Sequence, residues 1–172
     1  MPLFWLIRRI CLIRKAIKKD IDRILEVYDS AKKFMHSHGN PTQWNGSYPE
    51  RSLLESDVEK GNLFAMYDEN DRIYGVFALI GGDDPTYSYI EGKWQSDTYY
   101  GTIHRIAGDG SKNGILRECC EFARKNYNHL RVDTHEDNKP MQKSIANNGF
   151  AYSGIIYLEN GDPRLAYDWV KE

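Results

Sequence analysis

The chain has 172 residues, of which 23 are Lys or Arg and 25 are Asp or Glu, so its formal net charge is −2. Acidic and basic residues are mixed along the chain, which argues against a dedicated nucleic-acid binder because such proteins carry a basic face. One hydrophobic core suffices at this length, since folding buries roughly 70% of the surface of such a chain. We therefore expect a single domain.

The first eleven residues do not fit a targeting segment. The apolar run from Leu3 to Ile7 is followed by two arginines, which is the wrong order and length for a signal peptide and too short to span a bilayer. We interpret residues 1–11 as an N-terminal or strand extension, with a membrane-touching anchor as the alternative, and residues 12–172 as the domain. The cysteines form no C-x-x-C pair, so we expect neither a metal site nor a redox motif, and a reducing cytoplasm is the simplest compartment. They are Cys11, Cys119 and Cys120.

The first part of the chain predicts a strand, two helices and a hairpin. A short strand at 12–16 precedes a helix from Asp20 to Met35, whose apolar residues recur at helical spacing. A second helix is predicted from Glu50 to Lys60. The loop between the helices contains Trp44 and Tyr48, two aromatic residues that can anchor a surface loop.

Strands are then predicted at 63–67 and 73–80, joined by an Asp- and Asn-rich turn that favours an antiparallel hairpin. Residues 87–91 are expected to be extended. The Glu91 carboxylate either faces a functional site or lies at the solvated end of a hairpin.

The segment from Tyr100 to Thr134 organises the chain. A strand at 100–107 leads into the glycine-rich turn 108–114, and a helix at 115–126 is followed by a strand at 130–134. This βαβ unit favours a parallel pair of strands, and its turn directs backbone N–H groups and the helix dipole at an anion. A dinucleotide-binding turn would need G-x-G-x-x-G, but the three glycines here are one residue too far apart. A triphosphate-binding loop is also disfavoured, because Lys112 is followed by Asn113 rather than by Ser or Thr.

Two motifs resemble those of the GNAT family of acetyl-CoA-dependent N-acetyltransferases, and the resemblance extends from about Leu12 to Val170. Residues 103–108 (IHRIAG) and 111–116 (SKNGIL) resemble the signature strand and loop. Residues 138–150 (NKPMQKSIANNGF) resemble a second family pattern that begins with asparagine and ends with Gly-Phe. Ile145 departs from this pattern, since many members have a tyrosine there that protonates the departing thiolate.

The resemblance implies an α/β fold with one mixed sheet, a central parallel βαβ pair and helices on both faces. It implies that acetyl-CoA is the cosubstrate and that no metal is needed. The implied cofactor-binding residues are Ile106, Ala107, Gly108, Gly110, Ser111, Lys112, Asn113, Gly114, Ile115 and Asn138. Trp44 and Tyr48 become candidates for one wall of the acceptor site, and the acceptor would be a small-molecule or peptide amine.

His104 is our candidate for the general base, because imidazole titrates near neutral pH and lies in the strand that would hold the thioester. A purely structural histidine is the alternative, and Glu91 is the second catalytic candidate. His135 could instead face the cleft. A nucleophile at Cys119 or Cys120 is poorly placed, since both residues fall inside the helix.

We therefore predict a cytoplasmic enzyme that transfers an acetyl group from acetyl-CoA to a primary amine by direct attack in a ternary complex. A domain that binds acyl-CoA with little or no activity is the alternative. A nucleotide- or NAD-binding protein is a third candidate and rests on the glycine-rich turn alone. We expect no nucleic-acid or membrane partner, and a homodimer is compatible with the sequence.

Overall fold

The computed structural model describes residues 11–172 and contains one eight-stranded sheet and four α-helices. The strands are β1 (Leu12–Lys15), β2 (Leu63–Tyr67), β3 (Ile73–Gly81), β4 (Glu91–Gly92), β5 (Gly101–Gly108), β6 (His129–Thr134), β7 (Ala151–Tyr157) and β8 (Pro163–Val170). The helices are α1 (Ile21–Ser37), α2 (Arg51–Glu59), α3 (Ile115–Ala123) and α4 (Lys139–Asn147). Apart from Cys11, the expectation for residues 1–11 falls outside the described residues.

The strands lie in the order β1-β2-β3-β5-β6-β8-β7-β4. Only β5 and β6 pair in parallel, and every other neighbouring pair is antiparallel. This arrangement confirms the predicted mixed sheet with a parallel pair at its centre. The hairpin between β2 and β3 turns where it was predicted, because Asp68 accepts backbone N–H bonds within the turn. The sequence Asn160-Gly161-Asp162 likewise predicts a turn between strands at 150–158 and 164–170, and Asn160 accepts the Asp162 N–H there.

Helices α1 and α2 cover one face of the first half of the sheet. Their buried residues pack on inward-facing side chains of β2, β3 and β5. Burying such an apolar face contributes most of the stability of an amphipathic helix. The α1 and α2 side chains in this layer are Ile21, Ile24, Val27, Tyr28 and Leu54.

Helices α3 and α4 cover the opposite face. Cys119 and Ile145 are fully buried there against Phe77 and Leu130, so Cys119 is a core residue as predicted. Helix α3 ends at Ala123 rather than at the predicted residue 126, because the last amides bond to carbonyls three residues earlier and tighten the turn.

A third apolar cluster lies beyond β5 on the α1 side of the sheet, where the segment between β3 and β5 folds over β8. Tyr87, Trp94 and Tyr100 form its aromatic part. The predicted extended segment at 87–91 is wrong for most of its length. Pro85–Tyr87 form a 3-10 turn capped by Asp84, whose carboxylate accepts the Thr86 N–H over 2.9 Å, and only Glu91–Gly92 are extended.

Candidate active site

The centre of the sheet is split between β5 and β6. These strands pair at only two positions, Gly101 with Leu130 and Thr102 with Arg131. Both strands continue to Gly108 and Thr134, and within residues 11–172 no further pair joins them. From residue 103 onward, the N–H and C=O groups of β5 that face the gap therefore have no partner in β6, and such groups require a partner when they are buried.

A bulge in β5 accompanies the split. Arg105 has a φ of +50°, and the register between β3 and β5 shifts between Val76 and Ala78. An extra residue bends a strand and increases its local twist, so β5 turns away from β6 beyond this point. The Tyr28 hydroxyl donates to the Arg105 carbonyl over 2.8 Å, and the Arg105 guanidinium donates to Asp57.

The turn after β5 leads directly into α3 without a side-chain cap. Gly114 occupies the N-cap position with a φ of +83°, a conformation that favours glycine. The first amides of α3 and the positive end of its dipole consequently lie open to an anionic ligand. Gly110 has a φ of +85°, and no atom lies within 4 Å of the position where its Cβ would be.

Asp109 and Lys112 of the turn both have partners within the protein. The nearly buried Asp109 carboxylate accepts from Arg23 over 2.6 Å, from Arg72 over 2.8 Å and from the Ser111 N–H over 2.9 Å. Burial would raise the pKa of Asp109, but the bonds from Ser111 and the two arginines lower it overall. Its negative charge is thus neutralised within the protein. Lys112 lies over the Tyr74 ring, 4.5 Å from its centroid.

Close packing accounts for the remaining glycine of this segment. A Cβ on Gly108 would lie 2.9 Å from Cγ1 of Ile115, so glycine allows α3 to begin directly against β5. Ile106, Ala107 and Gly108 line the end of β5, and residues 110–115 complete the turn. The structure therefore brings nine of the ten predicted cofactor-binding residues into one continuous segment along the split.

His104 lies on the α1 side of β5, two residues beyond the last pair with β6. Its Nε2 is 2.8 Å from Oδ2 of Asp84, and both side chains are 20% exposed. Burial would raise the pKa of Asp84, but the hydrogen bonds from His104 and Thr86 outweigh it and lower this pKa to about 2. An ionised carboxylate only accepts, so the neutral imidazole carries its proton on Nε2 and keeps Nδ1 as an acceptor.

Across the split, Asp133 stands two residues beyond Arg131 in β6 and so at the level of His104 in β5. Tyr87 bridges the two sides. Its hydroxyl donates to Asp133 over 2.7 Å, and its ring centroid is 6.2 Å from that of His104. Burial first, and then the neighbouring Asp133, raises the pKa of Tyr87 well above its usual value, which keeps the phenol protonated. Sequence reasoning missed Asp84 and Tyr87 as site residues, because it predicted an extended segment at 87–91 and no local pattern pairs residue 84 with His104.

Aromatic residues of the α1–α2 loop form a wall beside β5. Trp44 packs edge-on against Tyr28 with ring centroids 5.5 Å apart, and Tyr48 lies 6.3 Å from Trp44. Because Tyr28 is bonded to the Arg105 carbonyl, this wall adjoins the residue that follows His104. The structure thus brings Trp44, Tyr48 and His104 to the same side of the sheet.

Asn138 connects the same loop to α4. Its Oδ1 caps α4 by accepting the Met141 N–H over 3.2 Å, and its Nδ2 donates to Gln43 over 2.9 Å. Gln43 also accepts from Asn40 over 2.8 Å. The Asn138 side chain therefore bonds within the protein, and its predicted contact with the cofactor stays a prediction.

Glu91 lies away from the split, whereas His135 directly follows the end of β6. Glu91 is exposed on β4 and bonds to the Tyr157 hydroxyl over 2.8 Å. Four strand spacings separate β4 from β5, which is roughly 19 Å along the sheet. Ile145 is buried in the core, and burial raises the pKa of Cys119 well above its usual value, which keeps its thiol un-ionised. His135 accepts the Asp137 N–H over 3.0 Å.

The described part of the chain contains neither a cluster of metal-binding side chains nor a membrane-spanning helix. Between residues 11 and 172, no three His, Cys, Asp or Glu side chains come together as they would around a metal ion. The helices of the same residues are too short or too polar to cross a membrane.

Known structures share this architecture. An acetyltransferase of the GNAT family from Streptococcus agalactiae is 30% identical in sequence, with 94% of this chain and 96% of that chain covered and a TM-score of 0.84. A second, from Listeria monocytogenes, is 20% identical over 93% of this chain and 94% of that chain, with a TM-score of 0.69. An agmatine N-acetyltransferase shares the fold at 12% identity over 93% and 99% of the two chains, with a TM-score of 0.61. No family model matches the chain, and no curated protein matches it in sequence.

The fold and these similarities define the protein as an acyltransferase. The chain belongs to the GNAT family of acetyltransferases, because its 30% identity to the streptococcal member extends over nearly the whole of both chains. The predicted family is thus confirmed, and it implies acetyl-CoA as the cosubstrate.

Proposed function

We propose that this protein transfers the acetyl group of acetyl-CoA to a primary amine by direct attack in a ternary complex, and that residues 12–172 form the catalytic domain. The observation that carries this proposal is the split between β5 and β6, with His104 and its Asp84 partner beside it. Cytoplasmic location and a homodimer remain parts of the same proposal.

The cosubstrate would lie along β5 and the following turn. The unpaired backbone of Ile106, Ala107 and Gly108 would bond the pantetheine arm and polarise the thioester carbonyl, as backbone amides do for a developing oxyanion. The turn from Gly110 to Ile115, including Ser111, Lys112, Asn113 and Gly114, would hold the pyrophosphate at the α3 N-terminus. Two observations support a pyrophosphate at this position: the N-terminus of α3 has no side-chain cap, and the Asp109 carboxylate is neutralised by Arg23 and Arg72.

His104 would prepare the acceptor for attack. Asp84 holds the ring by its Nε2–H, so Nδ1 can take the proton of an ammonium group, directly or through a water molecule. The neutral nitrogen then forms a bond to the thioester carbon, and the C–S bond breaks to release CoA. Most of the rate enhancement would come from holding the two reactants together.

The acceptor would enter from the α1 side. Trp44 and Tyr48 form the aromatic wall there, and the ionised Asp84 and the carboxylate of Asp133 lie near the split. This combination suits a cationic amine, since aromatic faces and carboxylates both attract positive charge. Agmatine, the compound named for a structural neighbour of the same fold, is an appropriate first probe.

A second function remains open, namely an acyl-CoA-binding domain with little or no activity. The observation that favours it is Ile145, which is apolar and fully buried where related enzymes have a tyrosine. In that case nothing on α4 would protonate the departing thiolate. Glu91, our second catalytic candidate, is too far from β5 to take part in our mechanism.

The test is CoA release from acetyl-CoA, followed with a thiol reagent over a panel of agmatine, spermidine, glutamate and a peptide with a free N-terminus. We expect amine-dependent release, and we expect His104→Gln to lower kcat by 10²- to 10⁴-fold while leaving the Kd for CoA nearly unchanged. The loss should shrink at high pH, where more of the amine is already neutral. A folded His104→Gln variant with wild-type turnover would remove His104 from the mechanism. CoA binding without turnover of any amine would favour the binding domain.

A further inference from the structure

Arg105 adopts a backbone conformation that arginine rarely takes. Among residues 11–172, Asp71 is the only other non-glycine residue with a positive φ, and it lies in the turn between β2 and β3. Asp is common in such turns, whereas the left-handed conformation is unfavourable for a long side chain inside a strand. Contacts from outside β5 must therefore maintain the conformation of Arg105.

Those contacts come from the two helices that cover this face. The guanidinium of Arg105 donates to Asp57 of α2, with only 11% and 7% of the two side chains exposed. The carbonyl of Arg105 accepts from Tyr28 of α1 over 2.8 Å. A buried Arg–carboxylate pair is held tightly, because separating its charges would leave each uncompensated.

The same contacts reach the aromatic wall. Tyr28 packs on Trp44, and Trp44 lies beside Tyr48. The wall, the bulge and the ion pair are therefore joined in one chain of contacts through Tyr28 and Arg105. A shift of Trp44 on acceptor binding would reach the bulge through Tyr28, and a shift of the bulge would reach Trp44 by the same route.

We propose that Arg105 is a positioning residue whose contacts with Tyr28 and Asp57 couple the acceptor wall to the split that holds the thioester. This inference rests on the proposed function. Arg105 itself need not contact either reactant. It fixes where β5 diverges from β6, and thereby where the thioester carbonyl lies relative to an amine seated against Trp44.

The first experiment compares steady-state kinetics of three variants. The double variant Arg105→Gly/Asp57→Ala removes both buried charges and leaves glycine where φ is positive, so no unpaired charge or strained residue remains. Arg105→Lys keeps the charge but loses the planar fork. Asp22→Asn is the matched control, because it breaks the exposed pair between Asp22 of α1 and Arg51 of α2.

With the best amine of the panel, we expect the double variant to lose roughly 10- to 100-fold in kcat and to show a raised KM for the amine, while its KM for acetyl-CoA changes less than threefold. The kcat and amine KM of Arg105→Lys should lie between those of the double variant and wild type. Both values for Asp22→Asn should match wild type. A folded double variant with wild-type kcat and amine KM would overturn the proposal, since a merely structural pair affects stability alone.

The second experiment needs no turnover. The indole N–H resonance of Trp44, assigned by its loss in Trp44→Phe, is followed by NMR while CoA is added. We expect it to shift in wild type and in Asp22→Asn, and to stay fixed in the double variant, although all three bind CoA. If CoA binds wild type but the Trp44 resonance does not shift, the proposed coupling is overturned while the proposed function stands. No binding of CoA to wild type would overturn the proposed function, and this inference with it.

Discussion

Replacing Asp84 with asparagine removes the charge that holds His104 and should change how stability depends on pH. Asp84 is 20% exposed and bonds to His104 and Thr86. Its pKa lies at about 2 in the folded protein, against a usual value of 3.8. A carboxyl group with a lowered pKa stabilises the folded state above its usual pKa, and this contribution is lost as the pH falls through the folded value.

The size of the effect follows from these two values. The difference between 3.8 and about 2, at 1.36 kcal/mol for each pH unit, corresponds to about 2 kcal/mol that Asp84 contributes near neutral pH. By the same relation, about 1 kcal/mol of this contribution disappears between pH 5 and pH 3. The Asp84→Asn variant has no carboxyl group to titrate there, so the stability gap between wild type and variant should narrow by that amount.

The assay is urea unfolding of both proteins at pH 5 and pH 3. Asp83→Asn is the matched control, because it removes the same charge from the same loop and keeps the contact with His104. For Asp83→Asn, we expect the difference in unfolding free energy from wild type to change little between pH 5 and pH 3. If the difference in unfolding free energy between wild type and Asp84→Asn is the same at both pH values, the assigned role of the His104–Asp84 bond is refuted. The variant should also lose roughly tenfold in kcat, because its ring is no longer held in one tautomer by a carboxylate.

Three further outcomes are expected. CoA at about 100 times its Kd should stabilise the protein by roughly 2.7 kcal/mol and raise the Tm by several degrees, whereas a shift with NAD or ATP but none with CoA would contradict the assigned cosubstrate. Gly114→Val should weaken CoA binding, because a Cβ there lies 3.1 Å from the Arg117 guanidinium and a side chain would crowd the first amides of α3. Gly161→Val, at a φ of +87° in open space, imposes similar strain and should leave the Kd for CoA unchanged in a calorimetric titration. Trp44→Ala should raise the KM for the amine more than tenfold with the KM for acetyl-CoA unaltered, and equal changes in both would argue against an acceptor wall.

Local sequence determined the elements that carry their own signals. The apolar period after Gly114 and the glycines before it predicted the β5–turn–α3 unit, because helical periodicity and positive-φ turns are properties of neighbouring residues. The Asp- and Asn-rich turns predicted both hairpins for the same reason. His104 was identified as a candidate base from its place in the signature strand.

Only the tertiary structure decided how distant segments meet. Asp84 precedes His104 by 20 residues and lies in a turn whose sequence indicates nothing about its partner. Strand order placed Glu91 at the far edge of the sheet, although its position before a turn was also compatible with a place in the active site. The split and the Arg105 bulge depend on which backbone groups of β5 find partners in β3 and β6 and on the support that α1 and α2 give to Arg105. Such pairings join residues far apart in the chain, so no local pattern records them.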